Sequence, residues 1–399
     1  MRITRAFFLF LIICIFSCTG SDDNPVKTIR VGGLYSLTGN WSTLGKASQA
    51  AMNIALEDVN DYLEGRGSAY QFSTVVSDTR LDTTDAKGAI QSGFEKNGVR
   101  FFIGPQSSAE LRAVKKYADE NELLVISQGS TAFTLGIPED GIFRFCPGDG
   151  PEGAAMSRRM YSAGKRVVIA LSRNDAGNIG LQTSVRSAFT SLGGQVELIA
   201  PYATNLATYG PLLTELKSKI QSYSSSVGAN KVAVYIACFD EAAAIFSQAA
   251  TDPVFSSVSW YGGDGIVQST VLSDNAVARD FSVATGFNAP NFGLPSNSHP
   301  DLAKISAAIK ADSGIEPDAY ALSVYDIMWV IGLTIANYPG VLNDYEYLKT
   351  SFADQAEQYY GITGPTILNV NGDRAIGSFE YWGIVKVGTE YKWSVVGSD

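Results

Sequence analysis

Short β-type runs alternate with helical patterns along this chain, and the alternation occurs twice in tandem. In the first pass residues 29–34, 71–76, 101–103 and 123–126 read as strands, with helical patterns over 45–64, 84–97 and 108–120. A break follows at Cys146-Pro-Gly-Asp-Gly-Pro151, and the pattern restarts with a helix running to Ala163. Strands at 166–171, 195–199, 231–237 and 258–261 then alternate with helices at 180–192, 209–222 and 241–250. Neighbouring parallel strands need a long crossover, and a helix is the usual one, so this alternation points to parallel sheets covered on both faces. The fold class read from it is α/β, with two doubly wound parallel-sheet lobes. The chain closes with helices at 318–337 and 345–359, a break at 361–365, and a hairpin from 379–387 and 392–396.

At the start, Arg2 and Arg5 precede an apolar run from Ala6 to Phe16. That run is short for a permanent membrane span and has the layout of a secretory signal peptide over 1–17. Ile15-Phe-Ser-Cys18 resembles the processing site of bacterial lipoproteins. Lipidation at Cys18 would hold the protein to a membrane through acyl chains, with 18–26 as a flexible tether. A plain signal peptide or an uncleaved anchor are the alternatives. After Phe16 no continuous apolar run approaches spanning length.

The rest, from Val26 to Asp399, is enough chain for two domains. A net charge of −10 with no Lys/Arg cluster argues against a nucleic-acid partner. Cys146 and Cys238, the two cysteines beyond the leader and tether, read as free thiols in preference to a disulfide. The single histidine, His299, lies in the turn-rich Pro295-Ser-Asn-Ser-His-Pro300 and reads as a surface residue. A histidine-based metal site and a Ser-His-Asp triad are therefore not expected. No Gly-x-Gly-x-x-Gly turn follows a strand and no P-loop lysine motif is present, so no cofactor is expected either.

Ligands of open parallel sheets bind beyond the C-terminal ends of the strands. Those ends here carry Ser36-Leu-Thr-Gly-Asn-Trp-Ser-Thr-Leu-Gly45, Gly104-Pro-Gln-Ser-Ser108 and Ser127-Gln-Gly-Ser-Thr131. Hydroxyls and free amides at helix N-termini suit a carboxylate, because the first N–H groups lack partners and the helix dipole favours an anion. Ser108 taken alone also reads as an ordinary N-cap.

The landmarks Gly33-Leu-Tyr-Ser-Leu-Thr-Gly39, Gly104-Pro-Gln-Ser-Ser108, Ile126-Ser-Gln-Gly-Ser-Thr131, Phe143-Arg-Phe145, Lys165-Arg-Val-Val-Ile169, Tyr261-Gly-Gly-Asp-Gly-Ile266 and Tyr325-Asp326 form an ordered set. Over nearly all of the mature chain this set resembles the type I periplasmic solute-binding proteins of ABC importers, in particular those for leucine, isoleucine and valine. The resemblance implies discontinuous lobes, 27–147 plus 286–364 and 148–285 plus 365–399, joined by a three-segment hinge. It implies a monomeric, exported protein that captures a small amino-acid-like ligand and hands it to ABC permease subunits, without catalysis. It places the hydroxyls of Ser108 and Thr131 on the ligand α-carboxylate, with the backbone at Gly129 and neighbouring Ser130 alongside, and Asp264 on the ammonium. Charge-assisted bonds of this kind give orientation as well as affinity in a closed, dry cleft. Asp264 also reads as a turn residue in Gly-Gly-Asp-Gly.

Some positions depart from the family pattern. No tyrosine stands near Ala176, where the second lobe's first aromatic belongs; Asn174 or Asp175 is the candidate to face the cleft instead. Phe239 keeps the second aromatic without a hydroxyl. Leu44 stands near the side-chain pocket's tryptophan, with Trp41 close by. An aspartate at 264, shorter than glutamate, suggests a repositioned or larger ligand. Asp240 is either a cleft acid or a solvated loop residue. Arg144, Asp149 and Glu152 fall at the first crossover and read as cross-lobe pairs or as plain surface charges. A ligand-sensing ectodomain subunit acting on a signalling receptor is the alternative use of the same fold.

Overall fold

The computed structural model describes residues 26–294, 299–375 and 377–399. The expected signal peptide, the lipidation site Cys18 and nearly all of the tether lie outside the described residues.

Strands β1 (Lys27–Tyr35), β2 (Tyr70–Asp78), β3 (Phe101–Ile103), β4 (Leu124–Ser127) and β5 (Ile142–Arg144) form a parallel sheet in the order β2-β1-β3-β4-β5. Helices α1 (Ser42–Gly65), α2 (Thr83–Asn97) and α3 (Ser108–Glu120) are its first crossovers. The second sheet uses β6 (Val167–Ser172), β7 (Gln195–Leu198), β8 (Val232–Ala237) and β9 (Ser259–Gly262), all parallel, in the order β7-β6-β8-β9. Helix α4 (Asp149–Ser162) leads into it and α5 (Ala176–Ser191) is its first crossover. Both sheets therefore share one winding, in which the first strand is flanked by the second and third. β3, β4, β6 and β8 are buried at every position, as strands covered on both faces must be. Where the order reverses, beside β1 in one sheet and β6 in the other, consecutive helices leave to opposite faces and a crevice opens.

The remaining strands are β10 (Ala289–Gly293), a two-residue ladder of β11 (Tyr360–Gly361) with β12 (Gly364–Pro365), β13 (Ser378–Val387) and β14 (Glu390–Ser398). β10 pairs antiparallel with β13, and β13 with β14. β10 and β13 each pass between the two main cores: Ala289 and Ile384 pack with β6 and β8, whereas Phe292 and Phe379 pack with β1 and β3. The short stretch between Phe145 and Asp149 is a third connection.

Two of these passages lie later in the chain than the family resemblance implies. Asn288 still bridges Tyr261 of the second sheet, so the crossing falls within β10 and not at 285/286. Asp373 bridges Arg144, and Arg374 donates to the Phe145 carbonyl and to Thr363, which keeps residues up to 374 with the first sheet rather than ending it at 364.

The helix Ala319–Asn337, whose apolar run is broken by Ser323 and Asp326, is by overall length and composition apolar enough to cross a membrane, with a mean hydropathy of 1.5. It is instead a core element, 83% buried over its most apolar window. A Cβ on its Gly332 would lie 2.5 Å from a Val59 methyl, so the absent side chain lets α1 approach closely. Its one acid, Asp326, is fully buried and accepts from the Ile362 and Thr363 amides (2.8 and 3.0 Å) and the Thr363 hydroxyl (2.5 Å), which fastens the β11–β12 ladder to the helix. Cys146 and Cys238 are both buried and unpaired, as expected.

Candidate functional site

On the first-lobe side, three loops at strand ends are locked together by their own hydroxyls. The N-cap of α3 is Ser107, not Ser108: Ser107 Oγ accepts from the Glu110 amide, while Glu110 Oε2 accepts from the Ser107 amide and hydroxyl, a capping box. Ser108 is thereby freed from capping. Its Oγ accepts from the Ala132 amide (3.1 Å) and the Ser130 hydroxyl (3.0 Å), which ties α3 to the loop after β4. Ser127 Oγ donates to the Pro105 carbonyl at 2.6 Å and accepts from the Ser130 amide at 3.0 Å.

Behind this loop lies Arg144, 1% exposed. Its guanidinium forks onto Asp373 at 2.5 and 2.7 Å, and its Nη1 donates to the Ala132 and Ser130 carbonyls at 2.6 and 3.2 Å. Arg144 is therefore neither a surface charge nor a lobe-to-lobe pair; it is the buried anchor of the hydroxyl-bearing loop. Gln106 holds the remaining loop, accepting from the Ser36 amide and donating to the Trp41 carbonyl. Trp41 itself sits at φ 57°, a left-handed conformation unusual for a bulky residue.

The second-lobe side presents acids. Asp264, directly after β9, accepts at Oδ2 from the Tyr320 hydroxyl (2.8 Å) and at Oδ1 from the Gly265 amide (2.9 Å). Its own amide donates to Glu152 Oε1 at 3.1 Å. Asp149 and Glu152, on the first turn of α4, are 0% and 1% exposed, which overturns the surface reading. Glu152 Oε2 finds no donor among the described residues, and the Asp149 carboxylate has only the Thr131 hydroxyl and the Phe133 amide close by, neither in full hydrogen-bond geometry. Burial pushes the Asp149 carboxyl up to about 7, and the nearby Asp264 charge adds to the rise. Burial, reinforced by Asp264 and Asp149, holds Glu152 well above its ordinary range, and burial raises Asp264 to about 6.

Between these sides lies a cavity lined by Trp41, Ser107, Ser108, Gly129 and Thr131 from one lobe and Gly177, Asn178, Leu181, Phe239 and Asp264 from the other. In this closed arrangement its volume is about 10 Å³, room for roughly one water. A larger cavity of about 590 Å³ lies elsewhere on the first lobe, around Phe143, Lys349 and Leu368, and holds none of the expected site residues.

Six of the eight expected ligand residues thus converge: Ser108, Gly129, Thr131, Asp264, Phe239 and Trp41. Ser130 does not line the cavity; its side chain backs Ser108. Leu44 lies next to Gly129 but borders a separate small void with Val267. Asn174 and Asp175 border an outer groove, and Asp175 caps α5 by accepting from the Asn178 amide. That Asp175 cap was the available signal for Gly177 and Asn178: starting the helix at 180 left them in a loop. Asp240 is 7% exposed and is a cleft residue, bonded across the lobes to the Trp41 amide at 2.6 Å.

The receptor family ligand binding region, as a family model, matches residues 47–386. The chain belongs to this family. An uncharacterized protein of Methanocaldococcus jannaschii is 30% identical to this chain over 396 residues, covering 95% of this chain and 90% of that one. A Leu/Ile/Val-binding protein homolog of Brucella suis is 26% identical over 304 residues, covering 74% of this chain and 75% of its own. The fold is that of the type I periplasmic binding proteins. The crystal structure of a leucine-binding protein, LivK, from Thermotoga maritima superimposes with a TM-score of 0.75 at 22% identity, covering 92% of this chain and 98% of that one. The Brucella suis relative and the Thermotoga maritima structure are both named as binding proteins, not enzymes.

Proposed function

We propose that this chain is an exported solute-binding protein that closes on a small amino-acid-like ligand and presents it to the permease of an ABC importer. The ligand carboxylate would face the Ser108 and Thr131 hydroxyls and the backbone at Gly129, and its ammonium would face Asp264. One observation carries this reading: a wall of hydroxyls and amides and a buried carboxylate face each other across the same interlobe cavity. A ligand touching both lobes gains contacts only in the closed form and so shifts the protein toward closure. The lobes would be the two sheet units, joined by the Phe145–Asp149 stretch, β10 and β13. The leader and Cys18 support export and lipid anchoring, with the protein acting as a monomer. The family's receptor members favour a second reading, in which the closed form signals to a receptor; co-purification with a permease rather than a receptor decides between them.

A thermal-shift screen of amino acids, amides and aromatic acids would supply a probe, since a ligand selective for the folded state raises the melting temperature. By calorimetry with L-leucine as the reference probe, Asp264→Asn should weaken binding at least tenfold, while the same acid lacking its amino group should bind wild type and variant alike. Unchanged L-leucine affinity in the variant would remove Asp264 from the site.

A further inference from the structure

The two ends of the interlobe cleft are filled differently. At the Trp41 end the protein occupies the space itself: the Trp41 and Phe239 rings stack with centroids 4.6 Å apart. At the other end a groove of about 420 Å³ lies open, bordered by Arg112, Phe133 and Thr134 from the first lobe and Ala176, Ile179 and Thr183 from the second. This volume is within the range of small-molecule pockets, roughly 300–1,000 Å³.

The groove continues the head-group cavity along each of the segments that build it. Arg112 lies one helical turn beyond Ser108 on the same face of α3. Phe133 and Thr134 follow Thr131 in the loop after β4. Ala176 and Ile179 flank Gly177 and Asn178 on the first turn of α5. Nothing larger than a methyl group stands at Ala176, and Gly177 lies close enough to Ser108 that an added Cβ would be 3.2 Å from its Oγ. Phe133 is 63% exposed, a large apolar ring displayed at the groove's edge, with half-buried Ile179 across from it. An aromatic ring left in water at the mouth of a cavity gains from covering.

We infer that the ligand's substituent leaves the head-group cavity past Ala176 and Gly177 and lies in this groove against Phe133 and Ile179. The protein therefore selects amino-acid-like ligands with a long apolar or aromatic substituent, not compact ones that would fill the Trp41 end. This rests on the head-group assignment proposed above.

The test is calorimetry on the whole exported chain with L-alanine, L-leucine, L-phenylalanine and L-homophenylalanine. Affinity should rise along that series by at least tenfold from first to last. Phe133→Ala should cost L-homophenylalanine about five- to tenfold and leave L-alanine within twofold. Ala176→Tyr, which narrows the passage, should do the same. Both positions are at least partly exposed, and an unchanged melting temperature confirms that each variant folds. Equal affinity across the series, or long-ligand affinity untouched by both variants, overturns the inference. Binding of the short members with no gain from length defeats this inference alone; no binding by any of the four defeats the head-group reading on which it rests.

Discussion

The first-lobe wall of the cleft and the second-lobe wall use their polar groups in opposite ways. In the first, Ser108, Ser127 and Ser130 bond to one another's loops and Arg144 behind them is matched by Asp373, leaving Glu110 Oε1 and Gln128 Oε1 as buried oxygens without a donor among the described residues. In the second, Asp149, Glu152 and Asp264 are packed near one another with three carboxylate oxygens lacking donors in full hydrogen-bond geometry. Tied together by its serines and by Arg144, the first wall holds its shape before any ligand arrives. The second is held together against its own electrostatics, because a desolvated carboxylate is costly unless it is paired or protonated. A ligand ammonium placed on Asp264, as proposed, would relieve the second wall as well as touch it.

If the first wall is preformed by Arg144, removing that residue should have the largest effect of any change discussed here. Arg144→Met leaves Asp373 buried without its partner and two loop carbonyls without their donor. Breaking a buried pair from one side costs about 3–5 kcal/mol. Equilibrium denaturation should show a loss of this size, and a loss under about 1 kcal/mol would mean that the loop is held by its serines alone.

The second wall predicts the opposite sign. Asp149 has its carboxyl raised to about 7 in the folded protein, so the native state binds the proton more tightly than the unfolded chain does. Its contribution therefore leaves stability intact at low pH and erodes it as pH rises from about 4 to about 7, and the loss persists above that. At about 1.4 kcal/mol per pKa unit, Asp149→Asn should stabilise the protein by roughly 2–4 kcal/mol at pH 8 and change little at pH 4. Denaturation midpoints across that range check it. A variant that is destabilised at pH 8 would show that Asp149 is ionised and paired, and the contrast between the walls would fail.

The difference between the walls also explains what could be read from the chain alone. The doubly wound lobes were legible because apolar runs of strand length alternate with helical periods, a pattern that constrains topology strongly. That Ser108 and Thr131 lie at one cavity was legible because they follow strands in loops of small residues, and Asp264 was placed beside them through the family resemblance. Arg144, Asp149 and Glu152 were not: charged residues in a Gly- and Pro-rich break look solvated, and only tertiary contacts bury them. The 130–132 loop and Asp373 surround Arg144, Gly180 of α5 packs against Asp149, and the Asp264 amide lies on Glu152. Ser130 and Leu44 failed for a finer reason. A loop's residues alternate in direction, and sequence order does not say which side chain faces the cleft and which one backs it. The β10 and β13 crossings were displaced because strands that begin in one core and end in the other carry no local mark at the boundary.

The smallest effect is expected where the walls meet without any ligand between them. Asn40, on the first-lobe side, accepts from the Asp240 amide at 2.8 Å and donates to Glu241 at 2.7 Å, while Asp240 in turn accepts from the Trp41 amide at 2.6 Å and from the Ser269 hydroxyl. The Ser269 bond holds Asp240 in place within its own lobe. The three bonds made by Asn40 and Trp41 cross between the lobes and exist only with the lobes together, so they favour closure whatever lies in the cleft. Asn40→Ala removes two of them but leaves Glu241 bonded to Arg173 and the Tyr202 hydroxyl. The net cost should therefore be about 1 kcal/mol, the typical worth of one hydrogen bond, or about a fivefold loss of affinity. Because the clasp acts through closure, short and long ligands should lose affinity equally, and the variant should scatter X-rays with a larger radius of gyration before ligand is added. A loss confined to one class of ligand would place Asn40 in contact with it, and would make the Trp41 end part of the binding surface instead of the latch that brings the two walls together.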